Sequence, residues 1–235
     1  MLAWQTFFTG SFDTAMIMTP IAADALATAL ARFAGYLVDR PRAESAFERI
    51  RATWPVTPGS VDTPAHRAAA VRLAEMFGIP TIDEEPAAAF SWDGHAIRTR
   101  SEASVIVHEV AHWLLSTPER RRLPDFGLGA GPETGLRERA DAARCVSDEE
   151  REHEEVLTSL LGILWEAELG QPAILAALEQ NWLEGAERPS TVAFFVDRLD
   201  QLFLRGLIDA DGRPLLASPA EPWHVRPTEL HKVSV

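Results

Sequence analysis

Residues 104–115 read Ser-Val-Ile-Val-His-Glu-Val-Ala-His-Trp-Leu-Leu. Within them, His108-Glu109-Val110-Ala111-His112 is an H-E-x-x-H motif. On an α-helix, residues four apart stand on one face, so both imidazoles reach a single metal ion. Glu109 follows the first of them, where its carboxylate can hold or deprotonate a metal-bound water. Positions 105–107, 110, 111 and 113–115 are uncharged. The stretch therefore reads as a buried helix carrying two histidines and one glutamate. Burying those polar groups is costly unless something satisfies them, and a metal ion does. The competing reading is a core helix whose histidines make ordinary hydrogen bonds.

Outward from this helix, Ser101 reads as its N-cap, with Glu102 favourable at the positive end of the dipole. Pro118 stops it near Ser116, because the residue before a proline is pushed out of the α region. Ahead of it, Ala88–Trp92 and Ala96–Thr99 read as two short strands paired across the turn Asp93-Gly94. Behind it, residues 119–135 are rich in arginine, glycine and proline. They read as a loop that either walls a substrate site or crosses the surface with solvated arginines.

A capping box, Ser147-x-x-Glu150, opens a second long helix that runs through Leu169 and ends at Gly170. Its first turns are acidic, with Asp148, Glu149, Glu150, Glu152, Glu154 and Glu155, and its later part is apolar. The helix dipole accounts for Asp148 to Glu150. Glu155 shares a face with Ser159 and Gly162, small residues that permit close approach of the metal helix. A carboxylate there completes a set of two histidines and one carboxylate with open positions. Glu152, His153 and Glu154 compete for that role.

The rest of the chain reads as helices. Thr19-Pro20 and Thr63-Pro64 are N-terminal signals. They open helices over 21–38 and from 64 to Phe77, where Gly78 is a left-handed stop. A further helix spans 41–53, another spans 172–184 with Trp182 inside it, and a last one spans 191–207. Beyond Gly206 the chain is proline-spaced, and His224 and His231 fall in an exposed tail. The divisions are an N-terminal helical region over 1–78, a metal-binding core over 79–210 and an irregular tail over 211–235. All three belong to one compact domain. The fold class is α+β and mainly α-helical: a zincin-like H-E-x-x-H helix packed on a second ligand-bearing helix, with a small β-sheet.

The net charge of −13 repels nucleic acid and anionic membranes and favours a basic partner. Cys145 is the only cysteine, which excludes an intrachain disulfide and a cysteine-rich zinc site and fits a reducing cytoplasm. No basic residue precedes Arg32, so the start does not read as a signal peptide. No apolar run is long enough for a transmembrane helix.

Several segments together resemble the bacterial elongation factor P hydroxylases. They are Glu85-Pro86 with the strand pair after it, His108-Glu109-Val110-Ala111-His112-Trp113, Arg120-Arg121, Asp125-Phe126-Gly127, Glu152, Glu155-Val156, Gly170-Gln171-Pro172 and Arg188-Pro189. The resemblance covers roughly residues 80–205. It selects Glu155 over Glu154 as the carboxylate ligand, through the spacing to Gly170-x-Pro172. It implies non-haem iron(II) held by His108, His112 and Glu155, and oxygen-dependent hydroxylation of a lysine-type side chain on a protein partner. Asp125 and Arg121 are then the candidates for substrate contact, Asp125 by a charge-assisted hydrogen bond to a cation. Phe126 stands where the family has tyrosine, Leu128-Gly129 replaces the family's aromatic residues, and the first seventy or so residues have no counterpart. Spacing alone favours zinc(II) instead, in a metallopeptidase with Glu109 as general base. A third reading is a structural or lost metal and an acidic partner-binding surface.

Overall fold

The structure, a computed structural model, describes residues 21–216 apart from 22, 58, 87–89, 132, 133 and 187. The helix signal at Thr19-Pro20, the first residues of the Ala88–Trp92 strand and the tail with His224 and His231 lie outside the described residues.

Eight α-helices, two short 3-10 turns and one two-stranded sheet make up the described elements, so the chain is mainly helical α+β. Helix α1 (Ala23–Gly35) is followed by α2 (Pro41–Arg51), whose proline sits at the first turn and costs no hydrogen bond there. Helix α3 (Pro64–Met76) begins with a capping pair: the Thr63 hydroxyl accepts from His66 N–H and the Thr63 N–H donates to His66 Nδ1. It ends at Gly78, whose φ of +69° only glycine adopts readily. Helix α4 (Ala103–Leu115) is the H-E-x-x-H helix and ends at Ser116. After α5 (Arg137–Ala142), helix α6 (Asp148–Glu168) opens with the Ser147–Glu150 capping box. Helices α7 (Ala173–Glu179) and α8 (Pro189–Leu204) complete the set.

Helix α6 is the axis of the molecule. Leu157, Leu160, Leu161, Ile163, Leu164 and Trp165 are all buried, so its second half is largely apolar, as suits a helix surrounded by others. Helices α2, α4, α7 and α8 pack around it, and α3 covers the other side of α4. Phe33 of α1, Phe47 of α2 and Phe195 of α8 cluster with ring centroids 4.7–6.2 Å apart, tying the first and last helices together. The main core runs without a break from Leu26 to Ile208. No helix among the described residues is long and apolar enough to cross a membrane.

Several expectations are corrected. The pairing across Asp93-Gly94 is a single antiparallel bridge, Trp92 to Ile97, and not a two-strand hairpin. The ladder is instead parallel, between β1 (Thr81–Ile82) and β2 (Ile97–Arg98). The Asp93 carboxylate accepts from the amides of both His95 and Ala96, which closes a wider turn than a two-residue hairpin allows. Ser101 does not cap α4, because its hydroxyl donates to the Arg98 carbonyl. Asp62, far away in sequence, accepts from Ala103 N–H at 2.8 Å and does the capping. Trp182 lies beyond the end of α7, past Asn181 with its φ of +62°, and its indole N–H donates to Ser159. Helix α5 was not legible in the glycine- and proline-rich stretch beside it.

Candidate metal centre

Helix geometry brings His108 and His112 to one face, with their Nε2 atoms 3.0 Å apart and their rings edge to face. From α6, Glu155 Oε2 lies 3.5 Å from His108 Nε2 and 3.4 Å from His112 Nε2. The close helix approach that this needs runs over Gly162. A Cβ there would stand 3.9 Å from Val107 on α4. Ser159, expected on the same face, turns to Gln180 and Trp182 instead.

The triangle has the dimensions of a metal site. Bonds of about 2.0–2.2 Å separate neighbouring donors by about 3.0 Å at a right angle and about 3.4 Å at the tetrahedral angle. The edges here, 3.0, 3.4 and 3.5 Å, fall in that range. Among the described residues this is the group of three that could hold an ion. Its competitors are elsewhere. Glu152 is exposed. His153 faces Gln201 and the arginines of α8, and burial and those arginines lower its pKa. Glu154 accepts two hydrogen bonds from Arg120, at 2.6 and 2.8 Å.

The charges within the triangle balance. Burial holds His108 below its ordinary pKa, against the pull of Glu155. Burial also works against His112, but the carboxylates of Glu155 and Glu154 outweigh it and hold the imidazole up at about 10. The Glu155 carboxyl lies far below the usual range, since both histidines offset the cost of its burial. A cationic His112 thus faces an anionic Glu155, and a divalent ion would displace that proton.

Around the donors stands a second layer. His112 Nδ1 lies 3.4 Å from Glu154 Oε1 and 3.3 Å from the Thr158 hydroxyl. Arg120 Nε donates to the Phe126 carbonyl at 2.8 Å. The Phe126 ring stacks between His112, at 5.5 Å, and Trp92, at 5.2 Å. This placement rests on three successive left-handed residues, Asp125 (φ 44°), Phe126 (φ 53°) and Gly127 (φ 69°). Two of them are not glycine, a strained arrangement of the kind found at working sites.

Glu109 and Asp125 complete the surroundings. Burial raises the Glu109 carboxyl to about 8; His112 opposes the shift, Asp125 and Glu155 add to it, and a hydrogen bond from Ser91 resists it. Burial likewise raises Asp125 to about 6, although the Thr134 hydroxyl donates to it at 2.8 Å. Arg121 is not with them. Its Nε donates to the Trp113 carbonyl at 2.7 Å and its guanidinium lies 3.6 Å over the Trp113 ring.

Thr158, Ser91 and Thr134 escaped the sequence reading as site residues, and it named Arg120 and Glu154 without foreseeing that they pair. Only Thr158 left a signal, one helical turn after Glu154. Compared with known proteins, the chain matches no family model, no curated protein and no solved structure.

Proposed function

We propose that the chain is a metal-dependent hydroxylase. His108, His112 and Glu155 hold one divalent ion, iron(II), and the substrate is a lysine-type side chain on a protein partner similar to elongation factor P. The observation that carries this reading is the convergence of Glu155 on both Nε2 atoms. The donor set is the two-histidine, one-carboxylate type that suits iron(II) with positions left for oxygen and substrate. A bound iron would supply the activation of oxygen. The protein's own part is to attract and orient the substrate. Asp125 accepts a charge-assisted hydrogen bond from an ammonium group, and Glu109 holds or takes up a proton beside it. The lone Cys145 and the net charge of −13 fit a cytoplasmic enzyme with a basic partner.

A second reading is a zincin-like metallopeptidase. It is supported by Glu109, which follows the first histidine, the position of the water-activating glutamate in an H-E-x-x-H helix. Elemental analysis separates the two readings, on protein purified without oxygen or an affinity tag, beside His112→Ala. About one equivalent of iron, lost in the variant, supports the hydroxylase. It should be followed, with oxygen and an added two-electron reductant, by insertion of one oxygen atom into a C–H bond of a lysine-bearing partner, the second atom leaving as water. Zinc in its place points to the peptidase, where Glu109→Gln keeps the metal and abolishes cleavage. No metal in either protein sinks both readings.

A further inference from the structure

The contacts behind His112 close on themselves. Its Nδ1 faces Glu154 Oε1 at 3.4 Å. Arg120 grips both oxygens of that carboxylate. The same guanidinium holds the Phe126 carbonyl through Nε, and the Phe126 ring returns to stack on the His112 imidazole. One arginine therefore fixes the histidine at its edge, through a carboxylate, and across its face, through a phenyl ring.

We propose that Glu154 and Arg120 are positioning residues for His112, setting the tautomer that turns its Nε2 lone pair to the metal. The proposal rests on His112 being a ligand. A carboxylate facing Nδ1 favours the proton there, which leaves Nε2 free to coordinate, and it also orients the ring. The Thr158 hydroxyl, 3.3 Å from Nδ1, can accept the same proton. Stability alone is a poor reason for this pair. Glu154 and Arg120 are only 12% and 15% exposed, and removing two charges from water costs about as much as their attraction returns. Nor does the pair belong to the ligand set, since both Glu154 oxygens are engaged. Beyond Arg120, Glu154 Oε1 faces the histidine.

The test uses the full chain, stripped of metal and titrated with cobalt(II) against a chelating dye. Glu154→Gln keeps the shape but loses the charge, and Arg120→Lys keeps the charge but loses the two-pronged grip. Each should weaken cobalt affinity about 10–100-fold and alter the visible cobalt spectrum, and Glu154→Gln, which leaves the Arg120 charge unpaired, should also lower the metal-free melting temperature. Thr158→Val should do the same more weakly. Two independent variants keep the test alive if one fails to fold. Unchanged affinity and spectrum in the folded variants overturn the proposal, even where the melting temperature falls, because that is the mark of a structural ion pair. Wild-type protein that takes up no cobalt fails differently: it removes the site itself, and with it any role for Glu154 towards a metal.

Discussion

Glu155 on α6 and His112 on α4 are 43 positions apart in sequence, yet their Oε2 and Nε2 atoms lie 3.4 Å apart. Neither helix brings the three donor atoms together alone; the cluster exists only where the two cross. Glu155→Gln should therefore abolish metal retention by a larger factor than any outer contact, which is worth about 10–100-fold. Glu152→Gln, at an exposed position, should leave retention unchanged. Equilibrium dialysis with zinc or cobalt reads both. Equal retention in Glu155→Gln and wild type would remove Glu155 from the site.

The two helices pass each other beside Gly162. A methyl group there meets Val107 at an ordinary 3.9 Å, so Gly162→Ala should be tolerated. It should even stabilise α6 by up to about 1 kcal/mol through helix propensity. Gly162→Leu overfills the interface, at a cost of about 1–3 kcal/mol, and pushes Glu155 away from the histidines. Thermal melts and metal titrations on the two variants should diverge in opposite directions.

The cap of the metal helix is non-local. Asp62, at φ 47°, supplies the oxygen for Ala103 N–H. Asp62→Ala should cost about 1–3 kcal/mol, from the lost cap and from alanine held in the left-handed region. Asp62→Asn should cost less, since an amide oxygen still accepts and asparagine tolerates that backbone. Ser101→Ala loses one hydrogen bond to Arg98 and should cost under about 1.5 kcal/mol. Denaturant unfolding that ranked Ser101 above Asp62 would contradict this assignment.

Glu166 gives the fold a pH dependence apart from the metal site. It is 6% exposed, and burial, reinforced by Glu179 of α7, raises its carboxyl from 4.5 to about 8. The native state thus binds the proton more tightly than the unfolded chain. The resulting stability is fully present below pH 4.5 and is lost as pH rises through about 8. Glu166→Gln stays neutral throughout. Its stability advantage over wild type should be small at pH 5 and should grow steadily towards pH 8. A difference that is flat with pH would show that Glu166 is ionised in the native protein.

Much of the fold was legible because its signals are local. The capping box at Ser147, the proline starts of α2 and α3, the glycine stop at Gly78 and the proline that limits α4 each act within a few residues. The pair His108 and His112 was legible for the same reason, being one helical turn apart. The strand pairing was not. Residues 97 and 98 form their ladder with β1, well before the turn, and only Ile97 also bridges to Trp92. Helix α5 is short and sits among glycines, where propensity carries little weight against packing.

By itself the sequence determined a mainly helical chain, the H-E-x-x-H face and an acidic helix bearing a third donor, since helical periodicity is set by neighbours along the chain. Spacing left Glu152, His153, Glu154 and Glu155 as rivals, and the family resemblance favoured Glu155. Only the tertiary structure decided their roles, bringing Glu155 to both imidazoles, Glu154 to the back of one and Arg120 to Glu154. It also turned Arg121 to Trp113 and Asp62 to the start of α4. Those choices depend on the crossing of α4 and α6 and on the left-handed turn at Asp125–Gly127. They are set by packing between segments far apart in the chain, which no local pattern encodes.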